Sequence, residues 1–245
     1  MIREYSTLSI TFIILVAFLY SALIMGALWG NNRVDRNARW SVRILRIAVG
    51  GFLLLTGFLA LDGFFLDFAS MPPKVFLAIA PAFIGMLVLG FNPLVRKWLA
   101  SISQTWLIGI QSFRIIVEIQ LYFLAMTPLL PKVMTFEGRN FDILVGLTAI
   151  PVAYYCHRVR SQNKKIPRGL LVGWNVAGIL ILTNVVLHGL LSAPTAFRQV
   201  MSDPPNTVIG HFPFVWLPAF VVPMAYLLHI LSLRKELSHS SSVSI

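Results

Sequence analysis

The chain has 245 residues, of which 57% are hydrophobic and only 12% are charged, and its mean hydropathy is +0.79. Soluble domains are about 25% charged and about 45–50% apolar, so this composition excludes an ordinary soluble domain and indicates a protein of the lipid bilayer. The net charge of +11 does not indicate a nucleic-acid partner, because the charges lie in short stretches between long apolar runs. The single cysteine, Cys156, excludes an intramolecular disulfide framework and a thiolate metal cluster.

Seven apolar runs in the sequence are each interpreted as a helix that crosses the membrane. A crossing helix needs about 20 apolar residues, and open strands would leave backbone groups unpaired in lipid. The sequence therefore predicts an all-α, seven-helix transmembrane domain over residues 1–237, followed by a disordered polar tail at 238–245. The predicted spans are 7–29, 44–66, 75–95, 105–130, 141–157, 169–192 and 207–233.

The distribution of basic residues predicts the direction of these spans. Fourteen Lys and Arg residues lie in the first, third and fifth connections and after the last span, whereas five lie on the opposite side. Connections rich in Lys and Arg stay in the cytoplasm. The N-terminus is therefore expected outside and the C-terminus inside the cell, in the plasma or inner membrane.

Short matches between the two halves suggest an internal duplication. Residues 61–65 of span 2 align with 187–191 of span 6, and Pro-Ala-Phe occurs at 81–83 in span 3 and at 218–220 in span 7. Spans 1–3 and 5–7 would then be parallel repeats separated by span 4, as in some transporters. This plan resembles that of the SWEET-type sugar transporters. The resemblance is architectural only, because span 1 has no proline and span 5 has only Pro151, so no site residue is carried over.

Charged side chains inside span 4 are the main functional signal. Arg114 and Glu118 are four residues apart and share a helix face with Gln111. A charge at this depth costs about 2.5–3.5 kcal/mol on insertion scales, so both side chains are expected to face the bundle interior. They are interpreted either as a substrate, ion or proton site or as a pair that fixes helix packing. Whether they pair with each other or with other helices stays open.

Polar groups near the predicted outer side complete the candidate substrate-binding set. Asn184 and His188 share a face of span 6, and the loop before span 5 carries Glu137, Arg139 and Asp142. This loop is expected to cover the outer mouth of the bundle. His229, by contrast, is expected at the cytoplasmic interface. No catalytic residue, metal or cofactor is predicted, because metal and nucleotide motifs are absent and span 7 has no lysine for a retinal Schiff base.

The segments 136–142 and 212–218 resemble bacterial multi-span membrane proteins that are uncharacterised, over the C-terminal half from about residue 104. The resemblance implies a bacterial cytoplasmic-membrane setting and nothing about mechanism. The leading hypothesis is a transporter or channel for a small solute or ion. The alternatives are a sensor or assembly subunit that binds a partner in the bilayer, including a second copy of the chain, and a lipid-modifying membrane enzyme.

Overall fold

The computed structural model of the protein describes residues 2–31, 36–99 and 101–240, and this part of the chain is helical, with no strand. The fold consists of long apolar helices joined by loops and short 3₁₀ turns. Its α-helices are α1 (Ile2–Asn31), α2 (Arg36–Leu61), α3 (Phe76–Phe91), α4 (Pro93–Leu99), α5 (Gln104–Gly109), α6 (Phe113–Leu124), α7 (Asp142–Ser161), α8 (Arg168–Ser192) and α9 (Val222–Ser240).

Five helical segments of the described chain are long and apolar enough to cross a membrane, and they correspond to predicted spans 1, 2, 4, 6 and 7. Of the other two predicted spans, α3 is apolar but has only 16 residues, and α7 has 20 residues with Arg158 and Arg160 in its last turn. Length and composition thus confirm five candidate spans. The seven-span count, the orientation and the internal repeat stay predictions.

Several span boundaries differ from those predicted. Span 2 ends at Leu61 rather than 66, because Gly63 has a left-handed backbone with φ of 76°. Span 4 is built from α5 and α6, joined by a 3₁₀ turn at Ile110–Ser112, and ends at Leu124 rather than 130. α9 extends to Ser240, so residues 238–240 of the predicted tail are helical, and 241–245 lie outside the described residues.

Span 7 begins about ten residues later than predicted. Residues 211–215 form a bend and turns, Trp216 is the first helical residue, and a π-helical turn that contains Pro218 follows at Leu217–Val221. Proline cannot donate a backbone hydrogen bond, so a run with prolines at 213, 218 and 223 does not sustain one regular helix. The π turn leads directly into α9.

Helix α9 lies at the centre of the bundle and packs against α3, α5 and α8, while α7 packs against α5 and α6. The apolar surface faces outward: Leu54 and Phe58 on α2 are 76% and 70% exposed. In contrast, Arg114 is the largest fully buried side chain among the described residues. This arrangement, with apolar groups outside and charges inside, suits an apolar solvent.

The connection between α2 and α3 carries a surface ion pair. The Lys74 ammonium lies 3.0 Å from the Asp67 carboxylate, and the backbone N–H of Ser70 also donates to that carboxylate. The bond from Lys74, together with the bond from Ser70, lowers the pKa of Asp67 below its usual value. This pair lies in a loop, well apart in sequence from the charged residues of α6.

Candidate functional site

Arg114 forms a buried ion pair with Asp142, the first residue of α7. Its Nη1 atom lies 2.5 Å from Asp142 Oδ1, and both residues are buried. Its Nε–H also donates to Gln111 Oε1 at 3.1 Å. The sequence left the partner of Arg114 open. Within the described chain, its salt-bridge partner is Asp142 rather than Glu118, so the ion pair joins α6 to α7.

Glu118 is held by an asparagine that sequence reasoning did not select. Asn140 Nδ2 donates to Glu118 Oε1 at 2.7 Å and to the Met134 carbonyl at 3.0 Å. Asn140 Oδ1 accepts the backbone N–H of Asp142 at 2.9 Å. The side chain of Asn140 therefore connects both buried carboxylate residues to the loop before α7.

Two buried side-chain atoms in this cluster, Arg114 Nη2 and Glu118 Oε2, have no hydrogen-bond partner within the described protein. A buried polar atom without a partner costs about 1–3 kcal/mol, and more when the group is charged. An atom of this kind is satisfied by an ordered water or an ion, or takes part in the exchange of a proton or ligand.

The loop that carries Asn140 depends on Gly138. A Cβ atom at this position would lie 2.3 Å from the Lys132 carbonyl oxygen and 2.7 Å from Val133 Cα. These are backbone atoms, so rotation of a side chain cannot relieve the overlap. The glycine thus lets the loop fold closely enough on itself for Asn140 to reach Glu118.

Replacing Gly138 by alanine should open this loop and weaken the bond between Asn140 and Glu118. Overpacking of this kind costs about 1–3 kcal/mol. We expect a lower thermal unfolding temperature in detergent for Gly138→Ala than for the wild type. Gly85→Ala is the control, since a Cβ there meets nothing within 4 Å. Equal unfolding temperatures for the two variants would show that the loop does not need a glycine.

A second group of buried polar side chains joins α5, α8 and α9. Asn175 Nδ2 donates to Ser232 Oγ at 2.8 Å, and Gln104 Nε2 donates to the same hydroxyl oxygen. His229 Nδ1 lies 2.9 Å from Asn175 Oδ1. An amide oxygen only accepts, so Nδ1 carries the proton, and in a neutral ring Nε2 remains an acceptor. His229, which was expected near the cytoplasmic interface, is fully buried within the bundle.

Close packing leaves room for the His229 ring only because position 178 is a glycine. A Cβ atom on Gly178 of α8 would lie 2.3 Å from Cε1 and 2.4 Å from Nε2 of the ring. The ring also packs against Trp174, with centroids 5.2 Å apart. The imidazole is thus fixed between α8 and α9.

We call these two groups together, with Gln111 between them, the polar column. Gln111 donates to the Ala225 carbonyl at 3.3 Å, one helical turn before His229. From Gln104 to Glu118, the broken helix rises by about 21 Å at 1.5 Å per residue, most of the roughly 30 Å of a bilayer core. The column consists of Gln104, Gln111, Arg114, Glu118, Asn140, Asp142, Asn175, His229 and Ser232.

Four of the predicted binding residues lie in the column: Gln111, Arg114, Glu118 and Asp142. The other four lie apart from it. Asn184 Nδ2 donates to the carbonyl of Arg139 at 2.7 Å, and His188 Nδ1 lies 2.8 Å from the Asn184 carbonyl of its own helix. Glu137 and the side chain of Arg139 are exposed. Asn184 therefore ties the loop to α8 rather than facing Glu118.

Sequence reasoning missed Gln104, Asn140, Asn175, His229 and Ser232 as members of the column. One signal was present: Gln104, Gln111 and Glu118 repeat every seven residues, which places them on one helix face. The described residues contain no group of three His, Cys, Asp or Glu side chains that could hold a metal ion.

A family model described as a domain of unknown function (DUF8737) matches residues 72–235. The match spans α3 to most of α9 and so includes the whole polar column, whereas α1 and α2 lie outside it. No curated protein and no solved structure matches the chain.

Proposed function

The chain belongs to the DUF8737 family, and we propose that it is a multi-pass membrane protein that moves protons, alone or together with a small polar solute, along the polar column. The observation that carries this proposal is the column itself, in which buried polar and charged side chains are distributed over about 21 Å of helix rise. Intramembrane ionisable residues commonly mark ion and proton pathways.

The membrane setting is supported by composition and by the arrangement of side chains. Five helices are long and apolar enough to cross a bilayer, and the exposed surface carries large apolar residues such as Leu54 and Phe58. The excess of Lys and Arg in alternate connections supports an N-terminus outside the cell and a C-terminus in the cytoplasm.

Glu118 is the proton-binding group in this proposal. Arg114 is already neutralised by Asp142, so Glu118 can bind or release a proton without breaking that ion pair. The three charged groups then alternate between a net charge of zero and a net charge of −1. The free Oε2 atom of Glu118 offers the position for the proton, while Oε1 stays bonded to Asn140.

The remaining column residues supply the route from Glu118 towards the opposite end. His229 Nε2 and Gln104 Oε1 are buried atoms without a hydrogen-bond partner among the described residues. Both are acceptors in the assignment above, and both lie on the inner side of Gln111. An imidazole can carry a proton on either ring nitrogen, which suits a relay position.

The proposal predicts that Glu118→Gln abolishes proton movement without unfolding the protein. The amide oxygen of glutamine still accepts from Asn140, so the packing is kept while the exchangeable proton is lost. The initial proton flux is measured in proteoliposomes that contain a pH-sensitive dye and are driven by a potassium diffusion potential. We expect the flux of the variant to be at least about tenfold lower than that of the wild type, as is typical when a proton-transfer group is removed.

Glu137→Gln is the matched control, because it makes the same chemical change on an exposed loop residue. It should retain wild-type flux, and all three proteins should unfold at similar temperatures. Wild-type flux equal to that of empty liposomes, or equal flux in Glu118→Gln and wild type, would overturn the proposal.

A further inference from the structure

An apolar groove of about 520 Å³ lies between α2, α3 and α9, apart from the polar column. It forms because α2 packs against α1 whereas α3 packs against α9, so the two consecutive helices diverge. Pockets that bind small molecules have volumes of about 300–1,000 Å³. The groove therefore has the size of a ligand site, and its walls are almost entirely apolar.

Small side chains create the space along both walls of the groove. Ala48 lines it on α2, and Ala82 and Gly85 line it on α3. A Cβ atom on Gly85 would meet nothing within 4 Å, so the space in front of this glycine is open. A bulky side chain at position 85 would fill the groove without first displacing a neighbour.

The length of the groove corresponds to one leaflet of a bilayer. Its lining runs from Ser41 to Phe52 on α2 and from Pro81 to Asn92 at the end of α3. Eleven residues of helix rise about 16 Å, close to half of the roughly 30 Å hydrocarbon thickness. One end of the groove thus lies near the bilayer midplane when the other lies at the surface.

The surface end is polar and positively charged. Ser41 and Asn92 line this end, and Arg234 donates to the carbonyl oxygens of Gly90 and Asn92. Trp40, which is 61% exposed, stacks beneath the Arg43 guanidinium at the same end of α2, 5.8 Å from the ring centroid. Arginine beside an exposed tryptophan is typical of a membrane surface, where it attracts anionic headgroups.

We infer that this groove binds one acyl chain of an anionic phospholipid, with the headgroup phosphate beside Arg234. The apolar walls match the acyl chain, the leaflet length matches its reach, and the guanidinium matches the phosphate charge. The inference rests on the membrane setting proposed above but not on proton movement.

Native mass spectrometry of the full chain in detergent tests the lipid site directly. Phosphatidylglycerol and phosphatidylcholine with identical acyl chains are titrated separately. We expect one saturable adduct and about fivefold higher occupancy for phosphatidylglycerol, the preference expected from one basic side chain at the surface. Gly85→Phe should lower that occupancy about tenfold, whereas Gly51→Phe should not. Gly51 also has open space around it but does not line the groove.

The headgroup contact is tested by Arg234→Gln, with Arg158→Gln as control. The first should bring the occupancies of the two lipids close together, and the second, an exposed residue on α7, should leave the preference unchanged. If Arg234→Gln fails to fold, the comparison of lipid occupancy in Gly85→Phe and Gly51→Phe tests the inference alone. Equal binding of both lipids by the wild type, an unsaturable series of adducts, or equal occupancy in Gly85→Phe and Gly51→Phe would overturn the inference. Occupancy is measured without any proton flux, so each proposal fails on its own measurement.

Discussion

Asp142→Asn should be among the most destabilising single substitutions in the chain. It leaves the Arg114 guanidinium buried, at 1% exposure, without its counter-ion. Removing one partner of a buried ion pair costs about 3–5 kcal/mol. For a chain of this size each kcal/mol lowers the unfolding temperature by about 2–4 °C, so we expect a decrease of roughly 6–20 °C in detergent. Intrinsic tryptophan fluorescence follows the transition.

Two further variants separate the loss of the ion pair from the loss of a negative charge. Asp62→Asn makes the same change on an exposed residue and should leave the unfolding temperature within about 2 °C of wild type. Arg114→Met combined with Asp142→Leu removes both charges and should recover most of the stability, because a buried pair can often be replaced by apolar residues at little cost. A double variant as unstable as Asp142→Asn would show that the pair itself, not the uncompensated charge, is required.

The burial of these charges was predictable from the sequence, but their partners were not. Arg114 and Glu118 lie inside an apolar run, and lipid exposure is too costly for either, so the interior was the expected location. Spacing alone favoured a pair between them. In the structure α7 begins at Asp142, which places that carboxylate against Arg114. Where a neighbouring helix begins is a tertiary property that no spacing within α6 encodes.

Asn140 and His229 illustrate two other limits of sequence reasoning. Asn140 lies in a loop that appeared exposed and polar, and its burial follows from the close fold at Gly138. His229 was expected near the cytoplasmic end of a span at 207–233. The helix actually starts at Trp216, and packing against Gly178 buries the imidazole. The burial of His229 thus depends on a contact between α8 and α9 that the sequence of α9 alone does not encode.

Gly178→Ala tests whether the inner half of the polar column depends on this packing. The added methyl group would overlap the His229 ring, which also packs against Trp174 and is hydrogen-bonded to Asn175. We expect a destabilisation of about 1–3 kcal/mol, seen as a lower unfolding temperature. Proton flux in liposomes should fall as well, because displacing the imidazole breaks its bond to Asn175 while Glu118 stays intact.

Gly173→Ala provides a control of opposite sign in the same helix. A Cβ at position 173 meets nothing within 4 Å, so alanine there should raise stability slightly through its better helix propensity. In a His229→Ala background the penalty of Gly178→Ala should disappear, because the ring that it overlaps is gone; a double-mutant cycle measures this coupling. If Gly178→Ala and Gly173→Ala shift the unfolding temperature equally, the imidazole does not pack against α8, and the column would end at Gln111. A coupling energy between positions 178 and 229, with no loss of proton flux in Gly178→Ala, would instead limit His229 to a structural role. Glu118 would then be the sole proton-binding group of the proposal.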